Sequence, residues 1–246
     1  MNQNYSKIQQ QQRTPVHGII FDLDGTLIRS VVDFPKMKRK MVEFIANLPI
    51  EQTNYTIEQT TNEIIHDVNE RMKNKNISKE EREQIFHNLS AILTEVEFEN
   101  ISKVQLLPGV IDLLRTCQEA NIKMGILTRA SGKYAVECLN RTGIKKYFAV
   151  VLSRDEFTLL RAKPHSDALN QTLTDMKTLP KNTIFVGDHK LDFDCAKAGN
   201  IRFVGVLSGS YNRERFHKAG VEMVVHDFYE LAELIKYLND GFKLRG

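Results

Sequence analysis

The later part of the chain alternates short apolar segments with longer amphipathic ones, and this alternation restricts the possible folds more than any other feature. Segments of strand length and composition lie at residues 122–127, 148–152, 183–186 and 202–206. Helices are predicted at residues 108–120, 131–141, 164–176 and 191–198, and short elements at 221–225 and 227–238 end the pattern. Such alternation is typical of right-handed crossovers in a parallel sheet. The sequence therefore predicts an α/β fold with a doubly wound parallel sheet, in which ligands bind beyond the carboxyl ends of the strands.

One more buried strand is predicted near the start of the chain, and it ends in two carboxylates. The apolar residues Gly18–Phe21 are followed by Asp22, Asp24 and Gly25. Acids at positions i and i+2 face the same side of a continuing strand, and glycine allows the backbone to turn directly after them. Such close like charges need a cation, and carboxylate oxygens suit Mg2+ better than zinc. The alternative is a turn with two solvated acids, because Asp and Gly are ordinary turn residues.

Residues 34–98 contain no strand-like segment and show three successive helical stripes instead. The first stripe ends at Pro49, the second begins with a capping-box pattern at residues 56–59, and the third begins at residues 78–81. Three amphipathic helices with short links predict a small bundle. Because this bundle lies between the first strand and the rest of the sheet, we expect an α/β core with a small α-helical domain inserted into it.

Polar side chains follow the later strands at two further places. The hydroxyl of Thr128, together with the next backbone N–H, could bind a phosphate oxygen, and Arg129 could add a charge-assisted hydrogen bond. Lys163 precedes a predicted helix and could neutralise Asp22 and a phosphoryl group. The alternatives are a turn or cap residue for Thr128 and an exposed side chain for Lys163.

Two more acids, Asp188 and Asp192, lie after the segment at residues 183–186, on a turn that becomes a helix. With Asp22 they supply the oxygen ligands that a Mg2+ site needs, and positions remain for water and a substrate phosphate. The alternative is that both acids are ordinary helix caps. His189 lies between them, but imidazole suits Mg2+ poorly, so we do not expect it to bind the metal.

These residues, in this order, resemble the four motifs of the haloacid dehalogenase (HAD) superfamily of phosphohydrolases. Residues 22–27 resemble motif one, Thr128 resembles motif two, Lys163 resembles motif three, and residues 187–192 resemble motif four. The similarity covers residues 17–206 and is greatest to the phosphoglycolate phosphatase-like group, which has a helical cap.

The resemblance implies a division of the chain into domains. Residues 16–29 and 105–246 would form the HAD-like Rossmannoid core, and residues 30–104 would form the cap. Residues 1–15 are rich in Gln and Asn, so we expect a disordered tail there. An organelle transit peptide is the alternative for this segment.

The resemblance also implies Mg2+-dependent hydrolysis of a small phosphomonoester through an aspartyl-phosphate on Asp22. Asp24 would protonate the leaving alkoxide and then deprotonate the attacking water. Mg2+ would be held by Asp22, the Asp24 carbonyl and Asp188, with Asp192 as a ligand or as support for the ligands.

Thr128 and Lys163 would complete the electrostatic surroundings of the phosphoryl group. The residue after the motif-two Thr is often Asn in the superfamily, so Arg129 is either a tolerated variant or a substrate contact. Asp24 argues against dehalogenation, because a leaving halide needs no proton. A phosphomutase of the same fold is the closer alternative to a phosphatase, and a non-enzymatic HAD-like binding module is the more distant one.

Composition excludes several other classes. The chain has 34 basic and 31 acidic residues, too balanced for a nucleic-acid-binding protein, and no apolar segment long enough to span a membrane. Its three cysteines are widely spaced without a Cys-x-x-Cys pair, which argues against a disulfide framework or a zinc site. The cysteine pattern favours a reducing compartment, so we expect the protein in the cytoplasm, and the resemblance implies a small phosphorylated metabolite as its partner. The sequence does not predict its oligomeric state.

Overall fold

The computed structural model describes residues 14–51, 53–56 and 58–239. Its strands are β1 (Gly18–Phe21), β2 (Ile28–Arg29), β3 (Gln105–Leu106), β4 (Lys123–Leu127), β5 (Val150–Leu152), β6 (Thr183–Gly187), β7 (Arg202–Val206) and β8 (Val224–Val225). Its helices are α1 (Phe34–Ile45), α2 (Thr61–Asn74), α3 (Lys79–Phe98), α4 (Val110–Glu119), α5 (Gly132–Arg141), α6 (Ser166–Met176), α7 (Lys190–Ala198), α8 (Arg213–Ala219) and α9 (Phe228–Asn239).

Six of these strands form one parallel sheet in the order β5-β4-β1-β6-β7-β8. β1 pairs with β4 on one side and β6 on the other, so that Phe21 is level with Ile126 and Val186. The chain adds strands first on one side of β1 and then on the other, which creates a topological switch point at its carboxyl end. The predicted doubly wound parallel sheet is confirmed, and the residues after β1, β4 and β6 meet at one edge.

β1 is buried on both faces, which explains its continuous apolar sequence. Ile19 and Phe21 pack in the apolar cluster on one side of the sheet, and Ile20 packs in the cluster on the other side. A central strand fixed in this way gives the acids that follow it a rigid starting point.

Helices α1, α2 and α3 form a bundle with an apolar core of its own. α3 begins with the predicted capping box, in which Ser78 and Glu81 satisfy each other's backbone N–H groups. The chain enters and leaves the bundle through β2 and β3, which pair antiparallel with Ile28 opposite Leu106. The buried side chains of the bundle include Met41, Ile65, Val68, Leu89 and Leu93. The cap boundaries at residues 30 and 104 remain a prediction.

Several boundaries differ from those predicted. α2 begins later than expected, because its capping box forms between Thr60 and Glu63. α6 begins at Ser166 rather than at Pro164, because the side chain of His165 accepts a backbone hydrogen bond and caps the helix. α8, β2 and β3 are not predicted from the sequence, since elements this short carry no periodic signal.

The predicted tail, residues 1–15, lies almost entirely outside the described residues, as do residues 52 and 57. The Pro15 carbonyl accepts a hydrogen bond of 3.0 Å from the Asn182 side chain, which attaches the described end of this segment to the core. Within the described part of the chain, no helix is long and apolar enough to cross a membrane. The three cysteines are buried free thiols.

A buried ion pair joins the bundle to the sheet domain. Glu97 of α3 pairs with Arg154, which follows β5, and their side chains are only 5% and 2% exposed. Arg154 also donates hydrogen bonds to Ser90 and Thr94 of α3. Its guanidinium donates a further bond of 3.0 Å to the carbonyl of Arg129. These contacts fix α3 against the loop that follows β4.

We expect Glu97→Ala to lower the free energy of unfolding by about 3–5 kcal/mol, because it leaves the Arg154 charge buried without its partner. Glu95→Ala provides a matched control on the same helix, since Glu95 pairs with Lys40 at the exposed surface and should cost less than about 1 kcal/mol. Urea unfolding of both variants measures the difference. Equal losses in the two variants would contradict the structural role given to the buried pair.

Candidate active site

A tight loop directs the acids after β1 toward the open edge of the sheet. The backbone N–H of Asp22 donates to the Val186 carbonyl at 3.0 Å, which continues the pairing of β1 with β6. The Leu23 carbonyl then accepts a bond of 2.9 Å from the N–H of Leu27, so that the chain turns at once. Gly25 has a φ of +79°, in the left-handed region that favours glycine. The turn inferred from the sequence is therefore present.

Lys163 places a positive charge among these acids. Its side chain is 2% exposed, and its ammonium donates hydrogen bonds to Asp22 and, at 2.7 Å, to Asp192. Burial alone would lower the pKa of Lys163, but the carboxylates of Asp192 and Asp22 raise it above its ordinary value. The ammonium thus remains charged, and the alternative of an exposed helix-leading lysine is wrong.

Asp22, Asp188 and Asp192 each present an oxygen within 4.8 Å of the others. Burial raises the pKa of Asp188 and of Asp192. Burial also raises the pKa of Asp22 to about 6, even though Lys163 acts in the opposite direction. Three buried carboxylates facing one ammonium leave an excess of negative charge, and their hard oxygen atoms are the ligands that Mg2+ prefers. The residues present therefore fit a divalent cation.

The carboxylate of Asp24 lies outside this group of three oxygen atoms and contacts a tyrosine instead. Its Oδ1 accepts a hydrogen bond of 2.9 Å from the hydroxyl of Tyr134, on α5. Burial, and then the nearby charge of Asp22, raise the pKa of Asp24 to about 7. An acid with a pKa in this range can both give and take a proton near neutral pH. Tyr134 is not identified from the sequence, because its position on α5 is that of an ordinary core residue.

Thr128 lies directly after β4, and the residue is 3% exposed. Its backbone N–H donates to the Leu152 carbonyl at 2.9 Å, and its hydroxyl accepts a bond of 3.1 Å from the N–H of Ala130. Ser131, not Thr128, caps α5 by accepting a bond from the N–H of Tyr134. Thr128 is therefore not the cap of α5, although its bond with Ala130 is that of a turn residue, and its hydroxyl lies at the sheet edge.

Arg129 lies beside Thr128, and its guanidinium donates to the backbone carbonyl of Lys163. Burial, and then the nearby charge of Arg154, lower the pKa of Arg129 to about 10. Arg129 therefore joins the loop after β4 to the loop that carries Lys163. It also lines the cavity described below, so a substrate contact is compatible with its position.

The polar residues at the start of α7 have different hydrogen-bond and ion-pair partners. Nδ1 of His189 accepts a bond of 3.1 Å from the N–H of Leu191 and caps the helix, while Asp192 accepts one of 3.2 Å from the N–H of His189. Asp194 points away from this cluster and pairs with Lys190 at 2.5 Å. His189 thus acts as a cap, as its position at the start of the helix indicates.

A loop after β7, residues 208–210, completes the site and is not identified from the sequence. The N–H of Ser210 donates to Asp188 at 2.7 Å, and the hydroxyl of Ser208 donates to the Gly25 carbonyl at 2.8 Å. A Cβ atom at Gly209 would lie 2.0 Å from Oδ2 of Asp188, so only glycine fits there. The position of this loop directly after a strand is the signal that could have found it.

All the predicted site residues line one cavity of about 610 Å³ between the sheet edge and the helical bundle. They are Asp22, Asp24, Thr128, Arg129, Lys163, Asp188 and Asp192. The bundle side of the cavity is more apolar and includes Val32, Phe34, Leu93 and the cation Lys38. The structure therefore brings together carboxylates, an ammonium, a hydroxyl and a protonatable acid that are widely separated in the sequence.

A family model described as haloacid dehalogenase-like hydrolase matches residues 19–206. The chain belongs to this family. Similar curated proteins include a phosphoglycolate phosphatase from Nitrosococcus oceani, which is 28% identical over 195 residues, covering 79% of this chain and 84% of that protein. Another is a phosphoglycolate phosphatase from Photobacterium profundum, which is 26% identical over 224 residues, covering 89% and 95% of the two chains.

The fold of this HAD-like hydrolase is also that of solved structures. A haloacid dehalogenase-like hydrolase from Bacteroides fragilis superposes with a TM-score of 0.66 at 18% identity, covering 88% of this chain and 99% of the other. This likeness concerns the fold alone. With the family match and the curated relatives, the predicted enzyme class, a HAD-like phosphatase, is confirmed.

The raised pKa of Asp24 predicts that its ionised carboxylate lowers the stability of the metal-free HAD-like hydrolase. The pKa of about 7 in the folded protein lies above the ordinary value of 3.8, so stability falls as pH rises through that interval and is constant above it. We expect Asp24→Asn in the presence of a chelator to raise the free energy of unfolding on the order of 2–4 kcal/mol at about pH 8, and much less at about pH 4.

Unfolding curves at several pH values measure this effect. Asp194→Asn is the matched control, because Asp194 is paired with Lys190 outside the cluster and should bring no such gain. A gain for Asp24→Asn that does not depend on pH would show that burial of the charge is not its cause.

Proposed function

We propose that this chain is a Mg2+-dependent phosphatase that hydrolyses a small phosphomonoester through an aspartyl-phosphate on Asp22. The observation that carries this proposal is the buried group formed by Asp22, Lys163 and the two acids after β6. Asp24, with its raised pKa, lies beside this group but outside it. A nucleophile and a separate proton carrier at one sheet edge are what a two-step phosphoryl transfer requires.

Asp22 is the nucleophile in this proposal. Its hydrogen bond from Lys163 orients the carboxylate and keeps it ionised against the effect of burial. One carboxylate oxygen attacks phosphorus as the ester P–O bond breaks, and an aspartyl-phosphate forms. Lys163 then faces the transferred phosphoryl group, whose negative charge it offsets.

Asp24 carries the proton in both steps. In its protonated form it donates to the departing alkoxide, and as a carboxylate it then removes a proton from the water that attacks the aspartyl-phosphate. Its pKa of about 7 allows both forms to exist near neutral pH. The direction of proton transfer reverses between the steps, so the acid is restored after each turnover.

Of the two acids after β6, Asp188 would bind the metal and Asp192 binds Lys163. Asp22, Asp188 and the Asp24 carbonyl would hold Mg2+, which when bound offsets negative charge on the phosphoryl oxygens. Both oxygens of Asp192 already have partners, since Oδ1 accepts from Lys163 and Oδ2 accepts from the N–H of His189. Of the two predicted roles for Asp192, this arrangement favours support of the ligands over direct coordination.

Thr128 completes the proposed phosphate site, where its hydroxyl is positioned to donate to a phosphoryl oxygen. Arg129 is held by the Lys163 carbonyl and supports the loops around the site, with a substrate contact as its further proposed role. The helical bundle covers the cavity as a cap and would exclude water when the substrate is bound. The buried free thiols are compatible with a reducing compartment, and we place the enzyme in the cytoplasm.

We expect the wild-type protein to release inorganic phosphate from para-nitrophenyl phosphate only in the presence of Mg2+. Asp22→Asn should lower kcat at least about a thousandfold, because an amide cannot form the covalent intermediate. Asp194→Asn is the matched control and should keep normal activity, since Asp194 lies on the outer side of α7 with Lys190. Acid quenching during turnover should trap phosphate on the wild-type chain in a hydroxylamine-sensitive form.

A broad panel of phosphate esters, including 2-phosphoglycolate because of the named relatives, then tests the ester class. No turnover of any ester by the wild type would refute the phosphatase proposal. Bisphosphate products with little net phosphate release would instead identify a phosphomutase. Failure to bind Mg2+ and vanadate would favour the non-enzymatic module.

The apolar side chains on the bundle side of the cavity are expected to affect binding of the leaving group rather than the rate of phosphoryl transfer. Phe34 is 45% exposed at the mouth of the cavity, so Phe34→Ala should leave the fold intact. We expect it to raise KM for phenyl phosphate by about threefold to tenfold with little change in kcat, because apolar contact is lost equally in the ground and transition states.

Steady-state kinetics measure both constants. Tyr229→Ala is the control, because Tyr229 is 56% exposed and does not line this cavity. An unchanged KM for Phe34→Ala would show that the aryl group binds elsewhere.

A further inference from the structure

The hydroxyl of Tyr134 donates a hydrogen bond of 2.9 Å to Oδ1 of the Asp24 carboxylate, and the side chain of Ser30 is a second hydrogen-bond partner of this carboxylate. Tyr134 is completely buried and does not line the cavity, so it lies behind Asp24 as seen from a substrate. Ordinary core packing does not require a tyrosine hydroxyl here, since a phenylalanine ring would fill the same space. The hydroxyl is therefore an element of the site that the proposed mechanism does not use.

The ring of Tyr134 is held in place by the bundle as well as by the core. Phe98, the last residue of α3, meets it edge to face with the ring centroids 6.1 Å apart. The N–H of Tyr134 donates to Ser131, whose hydroxyl donates in turn to Glu97 at 2.8 Å. Two consecutive residues of α3 thus fix the first turn of α5 and, with it, the direction of the tyrosine hydroxyl.

A phenol at neutral pH donates its proton, and a carboxylic acid has one oxygen that accepts and one that carries the proton. With Oδ1 of Asp24 accepting from Tyr134, the proton of the acid is confined to Oδ2. This hydrogen bond also restricts rotation of the Asp24 carboxyl group. An acid whose proton lies on a fixed oxygen is oriented before the leaving group arrives, which favours proton transfer in the transition state.

We propose that Tyr134 is a positioning residue that orients Asp24 for proton donation to the leaving oxygen. The proposal rests on the phosphatase function given above. In the step concerned, the ester P–O bond breaks, the bond from Asp22 to phosphorus forms, and the proton on Oδ2 of Asp24 moves to the departing alkoxide. Tyr134 keeps its own proton throughout.

Leaving-group dependence separates this role from a structural one. An alkoxide needs the proton of Asp24 to leave, whereas para-nitrophenolate leaves without one. The constant to measure is kcat/KM, because it reports only the steps up to formation of the aspartyl-phosphate. It does not include the later attack of water, which is the same for all esters. The two substrates are para-nitrophenyl phosphate and the alkyl phosphate that the wild type turns over best.

For Tyr134→Phe we expect kcat/KM to fall by about 10- to 100-fold for the alkyl ester and by less than about threefold for the aryl ester. Tyr147→Phe removes a hydroxyl from the same apolar cluster, away from the cavity, and should change neither constant. Phe98→Leu removes the ring contact at a partly exposed position and should give the same selective loss at a smaller size. Circular dichroism checks that each variant is folded.

Equal losses for both esters, or no loss for either, in Tyr134→Phe and Phe98→Leu would overturn the proposal while leaving the phosphatase function intact. A wild type that hydrolyses the aryl ester but no alkyl ester would also overturn the proposal, because Asp24 would then not protonate a leaving alkoxide and Tyr134 would have no proton donor to orient. A wild type that hydrolyses neither ester would instead refute the phosphatase function on which the proposal rests.

Discussion

Lys163 carries its ammonium into a group of buried carboxylates and bonds to Asp22 and Asp192 at the same time. Without it, the acids after β1 and β6 would face one another uncompensated at the end of the sheet. The cost of burying these charges is tolerated because each partner satisfies the other. The same contact ties together segments that are more than a hundred residues apart in the chain. One side chain from the segment between β5 and α6 thus joins Asp22 to Asp192 of α7.

The inserted bundle contributes to the sheet edge as well as covering it. Glu97 accepts hydrogen bonds from both the N–H and the hydroxyl of Ser131, and it pairs with Arg154. Arg154 in turn binds the carbonyl of Arg129. The loop that carries Thr128 is therefore held from the bundle side, and its geometry depends on where α3 ends. A cap that moves would have to preserve these contacts or release the loop with them.

Much of this architecture follows from local sequence signals. The apolar run of β1 and the alternation after residue 108 predict the sheet, and residues placed directly after strands predict Asp22, Thr128 and Asp188 as neighbours. Tyr134 is not predicted in this way, because periodicity places it on the buried side of a helix, where a functional tyrosine cannot be distinguished from an ordinary core residue. Glu97 is not predicted either, since a lone acid on an amphipathic helix is usually exposed. Both depend on contacts between segments whose relative placement no local pattern encodes.

The two acids of the first loop differ because their surroundings differ, although one residue separates them. Asp22 has an ammonium as its neighbour, which opposes the effect of burial on its pKa. The hydrogen-bond partners of Asp24 are instead the neutral hydroxyls of Tyr134 and Ser30, and the charge of Asp22 adds to the effect of burial, so the pKa of Asp24 rises further. A nucleophile has to be ionised and a general acid has to hold a proton at the same pH. In this loop the carboxylate of Asp22 contacts Lys163, and the carboxylate of Asp24 contacts Tyr134 of α5.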